Sequence, residues 1–497
     1  MRFVARLAIA IATLIGSALL CWGQSFELEP GSRATSAARP AAARSAPMPS
    51  LTPPQSVEGT WISDAQMIAV PEELSGDQAV ASDDSGPWSE QFASDGESCD
   101  DQDGMFGGDG GAGHGRYCND LWTEVHSHRR TWFQLDYLSF WAKGNPLPPL
   151  VTTSPLGTPQ TQAGILPESA TTQILFGNDR VDTQRRNGAR INFGYWLIDG
   201  EFLGIEGQYF AFQQANTQFH AASDFTNQPN SQILARPFIN FDPSLPNPTE
   251  DAALVAFPNF VVGNTSFNLN GAIDVRTTSN IQSANATLRR LLWIDFTTGR
   301  RLDVIGGYRF FRLDDSVTID DTTTTVGGPL APTTFASQDQ FRAINQFHGG
   351  EIGLKGQSYH GPLSIELIGK IALGNTTEKV NINGFNTVTV QNVTVSNVGG
   401  LLTQTSNIGS YRRDVFSVLP EANVNLRYDI TKNLRATLGY NFVYLNHVQR
   451  SGNAIDRGLN PTQINGGTLV GDARPAFAFT DTSFWLHGAS AGFEYRW

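Results

Sequence analysis

Residues 415–445 read VFSVLPEANVNLRYDITKNLRATLGYNFVYL, and the alternation within them decides the fold. Phe416, Val418, Pro420, Ala422, Val424, Leu426 and Tyr428 fall on one parity. Ser417, Glu421, Asn423, Asn425 and Arg427 fall on the other, with Leu419 the exception. After the polar turn Asp429-Ile430-Thr431-Lys432 the alternation resumes, with Leu434, Ala436, Leu438, Tyr440, Phe442 and Tyr444 opposite Arg435, Thr437, Gly439 and Asn441. A period of two on both sides of a tight turn predicts a long β-hairpin with one apolar and one polar face. Its arms exceed the usual five or six residues. The polar parity carries charges and the apolar parity ends in aromatics, as in a membrane-crossing barrel strand that is apolar toward lipid and polar toward a lumen.

Working outward, the same alternation predicts eight more strands. The apolar parities are Phe133, Leu135, Tyr137 and Trp141; Ala189 to Leu197; Leu203 to Ala211; a weaker run over 284–292; Leu302, Val304, Tyr308 and Phe310; a run over 347–355; Leu363 to Leu373; and Ala489, Ala491, Phe493 and Tyr495 within 485–497. With the hairpin this makes ten, and residues 379–395 leave room for one more hairpin. Connections alternate in length. Short turns fall at 198–201, 295–301, 356–362 and 429–432, and long loops at 143–187, 213–283, 314–343, 374–414 and 446–484. Outer-membrane barrels have short periplasmic turns, long extracellular loops and an even strand number; a soluble sandwich has no reason to sort its loops by length. Trp132, Trp196, Trp293 and Trp497 fall at short-turn ends, and Trp141, Phe212, Tyr444 and Trp485 near the long loops, as two interfacial girdles would.

Composition agrees. Of 497 residues only 16% are charged, against about 25% in ordinary soluble proteins, and Gly is abundant. The net charge of −13, without a basic stripe, argues against a nucleic-acid partner. Beyond the N-terminus no apolar run approaches the roughly 18 residues of a membrane helix. Residues 1–23, with Arg2, Arg6 and an apolar core over 7–20, read as a signal peptide cleaved near Gly23. Residues 24–128 read as a disordered leader, rich in Ala, Pro and Gly and then acidic; between Val70 and Glu124 fourteen acidic residues face one Arg. Within it, Cys99 and Cys118 are candidates for a disulfide in an oxidising compartment, or two free thiols. The run from Cys99 to Gly110 lacks the ligands of a calcium loop at its first and twelfth positions.

The stretch 129–497 resembles a known family. The matching residues are Leu135-Asp136-Tyr137-Leu138, the Pro/Thr-rich run 148–155, Arg190-Ile191-Asn192-Phe193-Gly194-Tyr195-Trp196, Gly306-Gly307-Tyr308-Arg309-Phe310-Phe311, Lys370 to Asn375, Val418-Leu419-Pro420-Glu421, Gly439 to Tyr444, and Ile455-Asp456-Arg457 with Asn460-Pro461. Together they resemble the putative β-barrel porin family, seventh in its series. That resemblance implies an outer-membrane barrel and brings no catalytic residues with it. Phe493, Tyr495 and Trp497 resemble the C-terminal signature read by the barrel-assembly machinery.

The fold expected is therefore all-β, a single transmembrane antiparallel barrel of about ten to twelve strands in meander order, located in the bacterial outer membrane. Its candidate lumen-lining residues are Arg190, Glu206, Asp303, Arg309, Glu366, Lys370, Glu421, Arg427 and Arg435. Mixed charges of this kind either line a water path or pair across a narrow lumen and plug it, since about eight strands enclose only enough space for side chains. The expected function is a porin for passive diffusion of small solutes; the alternative is a non-conducting surface-structural or adhesion barrel displaying long loops. Neither needs a cofactor or a metal, and lipid is the partner both imply. His126 and His128 are two ligands without a third. An enzyme would need Asp314 and Asp315 brought beside His447; an Asp-Asp pair at a strand exit is more simply a turn with solvated charges. No catalytic residue is assigned.

Overall fold

The computed structural model describes residues 130–167, 171–228, 231–327 and 332–497. The signal peptide, the leader, Cys99, Cys118, His126 and His128 lie outside them. Ten strands form the wall. They are β1 (Thr131–Ala142), β2 (Arg186–Trp196), β3 (Leu203–Phe212, continued by Ala215–Ser223), β4 (Thr265–Asp295) and β5 (Arg300–Val326), then β6 (Thr333–His360), β7 (Leu363–Val390), β8 (Gly409–Asp429), β9 (Leu434–Val448) and β10 (Thr482–Arg496). Each pairs antiparallel with the next in chain order. β10 then pairs back onto β1, with Trp132 opposite Arg496 and Ala142 opposite Leu486. The sheet closes on itself as a meander barrel.

In the lower part of the wall the polarity is inside out. On β7, Leu367 is 55% exposed and its neighbour Glu366 is fully buried. Phe193, Leu288, Tyr308, Ile352, Val424, Leu438 and Tyr440 all face outward and are exposed, while Asp136, Arg190, Arg289, Asp303, Glu421 and Glu494 are buried inside. No water-soluble protein gains from this arrangement; in lipid it satisfies both faces. The barrel therefore spans the outer membrane through this belt. Trp293 and Trp497 face outward at its lower rim, as expected. Trp132, Trp196 and Phe212 do not: they sit on the inward parity, and Trp196 and Phe212 are buried. Gly194 explains the first of these placements. It lies directly across from Trp132, and a Cβ there would fall 1.9 Å from the indole ring, so the ring fills the space glycine leaves.

The segments 213–283, 314–343 and 374–414 are mostly strand rather than loop. β4, β5, β6 and β7 run 31, 27, 28 and 28 residues, about three times the roughly 9–11 needed to cross a bilayer. β1 and β2 have only 12 and 11. One side of the barrel thus rises as a tall wall. The extra hairpin expected in 379–395 exists, Val393–Val398 against the end of β7, but it stands above the ring and adds no wall strand. Above the belt the polarity reverts. Ile273, Val317, Ile319, Phe341, Val380 and Ile382 now face inward and are fully buried. Residues from the connections, including Leu150, Val151, Ile233, Leu234, Ala256 and Leu459, cover them to form an ordinary apolar core.

The height of the lipid boundary is testable by charge placement. Leu367→Arg, in the belt, is expected to lower unfolding free energy by about 2–4 kcal/mol in bilayers. Thr322→Arg, outward on the extension of β5, should stay within about 0.5 kcal/mol. Denaturant titration of the barrel in vesicles measures both.

Candidate functional site

The interior is the candidate site, and it is layered. At the short-turn end lies a vestibule of about 1000 Å³, solvent-open mouth included, reaching from Thr131, Glu201 and Arg496 up to Arg190, Lys370 and Asn423. Its floor is aromatic and cationic: Trp132 and Trp196 lie 5.1 Å apart, and the guanidinium groups of Arg289 and Arg301 sit 4.8 and 5.0 Å from the Trp196 ring. Cations facing a desolvated indole are held by its quadrupole.

Above the floor each charge meets an opposite one, on its own strand, on a neighbour or across the lumen. Arg289 donates to Asp303 at 2.6 Å and Glu206 at 3.1 Å, and Lys355 donates to Glu206 at 2.9 Å. Arg427 and Asn425 donate to one oxygen of Glu366, and Gln357 to the other. Arg435 donates to Asp429 at 2.6 Å, and Arg301 to Asp303 at 2.9 Å. Higher still, Arg190 donates to Asp136 at 2.8 Å and to Asn441 at 2.7 Å. Arg309 lies 2.8 Å from Glu421, and Lys370 3.4 Å from Glu351. Burying such ions is costly unless each is paired and hydrogen-bonded. The strand register supplies the partners: Arg190 lies directly across from Asp136, and Lys370 from Glu421.

Then the inward parity turns apolar. Leu138, Phe140, Phe210, Phe212, Ile281, Phe311, Leu313, Phe347, Ala372, Leu419, Val443, Leu445, Phe484 and Leu486 form one buried cluster across the lumen, none more than 6% exposed. Nine of the ten strands contribute. The tenth, β2, offers Gly188, where a Cβ would meet Phe212, so glycine makes room for that ring. A narrow gap, with Phe140 and Phe212 on one side and Arg190 and Glu421 on the other, lies between the septum and the charged layer. Leu419, the exception in the opening hairpin, is a septum residue.

Connections from the low side seal the barrel above the septum. Arg450, buried, donates to Asp315 at 2.5 Å and to the Lys143 carbonyl at 2.9 Å. Asn345 and Gln449 exchange two hydrogen bonds. Arg236 bridges Asp321 and Asp339, and the second oxygen of Asp339 accepts from the amides of Leu402 and Thr403.

All nine residues picked as lumen-lining thus face inward, each beside an opposite charge. Sequence reasoning did not single out their partners Asp136, Arg289, Glu351, Lys355 and Glu494, although each lies on the polar parity. Asp314, Asp315 and His447 do not converge. Consecutive strand residues point to opposite faces, so Asp314 accepts from Arg312 and Arg342 outside while Asp315 accepts from Arg450 inside. His447 instead lies 3.8 Å from Asp481. Among the described residues, no three His, Cys, Asp or Glu side chains are grouped as a metal would require.

A family model described as "Putative beta barrel porin-7" matches residues 132–497. No curated protein matches. Among solved structures the chain is similar to the outer membrane protease OmpT from Escherichia coli, at 8% identity over 74% of this chain and 97% of that one, with a TM-score of 0.33. It is also similar to the TodX deltaS2S3 mutant monoaromatic hydrocarbon channel (9%, 75% and 92%, TM-score 0.19) and to a Pseudomonas aeruginosa FadL homologue (8%, 74% and 90%, TM-score 0.19).

Removing one member of the interior network leaves buried charge behind. Arg309→Met is expected to cost about 3–5 kcal/mol, because Glu421 and Glu351 lose their shared cation. Adding Glu421→Gln alone should recover most of it, since Glu351 keeps Lys370 as its partner. The temperature at which the barrel loses its compact gel mobility reports both.

Proposed function

The chain belongs to the putative beta-barrel porin-7 family of outer-membrane barrels, and from that premise we propose that this member is a closed, non-catalytic barrel that carries a rigid folded head outside the cell. The septum carries this reading. A solute crossing the lumen would have to part a packed apolar layer of Phe and Leu, then displace the cap held by Arg450 and Arg236. Neither step has an evident hinge among the described residues: the septum residues project from wall strands locked on both sides, and the cap arginines Arg450 and Arg236 are ion-paired with the buried carboxylates of Asp315 and Asp339. The tall wall of β4 to β7 and the connections leaning on it supply the head, with its own apolar core.

Passive diffusion is the second reading, and the charged vestibule favours it, since ions and small polar solutes can enter from the short-turn side. The two separate in planar lipid bilayers. Purified barrel with heat-modifiable mobility is expected to give no unitary current steps across a wide voltage range. Reproducible steps of one size would sink the closed-barrel reading and restore the pore.

A further inference from the structure

Just above the apolar belt, the outward faces of β5 to β8 carry a cluster of cations. The belt's upper edge is marked on these strands by Tyr308 and Phe310, by Leu373 and by Phe416, the last 65% exposed. The Tyr308 hydroxyl lies 2.5 Å from Nδ1 of His348, and the Phe310 ring is 5.1 Å from the same imidazole. Amphipathic rings of this kind sit where acyl chains give way to headgroups. Beyond that edge come Arg312, two residues after Phe310; Lys379, six after Leu373; Arg412, four before Phe416; and Arg342, six before His348. All four lie on the outward parity.

The register draws three of the four strands' charges into one lateral row. Asp314 lies across from Ile344, Ile344 from Lys379, and Lys379 from Arg412. Arg312 and Arg342 both donate to Asp314 at 2.8 Å, and their side chains are 30% and 48% exposed. Arg412 reaches Asp414 only at 3.4 Å and is 60% exposed, while Asp414 is already occupied by Thr377 and Asn375. Lys379 forms no ion pair with a described residue. Four cations therefore face two carboxylates on the surface of a chain whose net charge is −13. Like charges directly across a strand pair are destabilising, and Lys379 and Arg412 are such a pair. Among the described residues the β9, β10 and β1 side carries no such cluster: its outward residues near the long connections are Tyr444, Trp485 and Trp141, and Lys143 beside them donates to Ser483.

We propose that this face binds the phosphorylated headgroup of an outer-leaflet glycolipid, with Lys379 and Arg412 on a phosphate and Arg342 and Arg312 flanking it. A phosphate oxygen set relieves the repulsion between Lys379 and Arg412 and accepts the forked Arg donors. The occupant is a lipid because the apolar belt lies directly beneath the cluster and offers its acyl chains a surface. It is a glycolipid because Lys379, Arg342 and Arg412 stand four to six residues above the belt, roughly 10–20 Å along a strand, deeper into the polar layer than a simple headgroup reaches. The inference rests on the outer-membrane placement and is independent of whether the lumen conducts.

The probe is lipid A bearing its phosphates, offered to the whole barrel in detergent and followed by native mass spectrometry and by thermal stability. Expected is a retained one-to-one adduct and a raised unfolding temperature. Dephosphorylated lipid A and phosphatidylcholine should give neither. Lys379→Gln with Arg412→Gln, checked for normal heat-modifiable mobility, should weaken retention by about tenfold or more, while Arg185→Gln on the opposite side leaves it unchanged. Equal retention by the double variant or of dephosphorylated lipid A would overturn the site. Full displacement by inorganic phosphate would overturn its assignment to a lipid.

Discussion

Along its long strands this protein inverts which parity is apolar, and the rest of the structure follows from that inversion. On β5 the apolar residues Leu302, Val304, Tyr308 and Phe310 face out, whereas Phe311, Leu313, Val317 and Ile319 face in. The switch occurs between adjacent residues, Phe310 and Phe311. β4, β6 and β7 show the same reversal, with Leu288, Ile352 and Leu373 outside and Ile281, Phe347 and Ala372 inside. Below the switch the surroundings are lipid and the interior must be polar; above it the surroundings are water and the interior must be apolar. The septum is where the inward face changes from one regime to the other, and it lies inside the barrel close to the level at which lipid ends outside.

Below the septum, ten strands leave little more room than their own side chains fill. Charges packed into that space must neutralise one another at close range. Pairs such as Arg289 with Asp303 and Arg427 with Glu366 need not add net stability over apolar substitutes. They do penalise misregister, because a one-residue slip turns every partner to the lipid side. Above the septum, the tall wall exposes an apolar inner face that no membrane covers. The connections from the low side are thereby obliged to fold onto it, which is why such long segments end as a packed cap and not as free loops.

The membrane-crossing part of the fold was legible because lipid and lumen impose the greatest possible contrast between successive residues. All ten wall strands carry that contrast over their lower halves, and the nine lumen charges were read from it. The upper halves were not legible as strands. Their outward residues, such as Ser316, Thr318 and Asp320, are merely polar, and the phase reversal at Phe310-Phe311 breaks any single alternating template. The septum left a trace in Leu419 and in Phe210 and Phe212, apolar residues on the polar parity, but a lone exception in one strand does not announce a layer. The inward Trp132 and Trp196 were misassigned to a lipid girdle because an aromatic at a strand end suits either side, and only the glycine opposite decides between them.

The seam joins residues far apart in the chain. Thr131 and Trp497 exchange backbone hydrogen bonds across a separation of 366 residues, and β10 serves both β1 and β9. Pairing this non-local is slow to form. Until β10 arrives, nine strands can associate only as an open ribbon, with a bare edge at β1 and another at β9. Each edge is a template for any passing strand. Maturation of this chain is therefore a race between ring closure and mispairing, decided by whatever shields the two edges while the last strand is delivered.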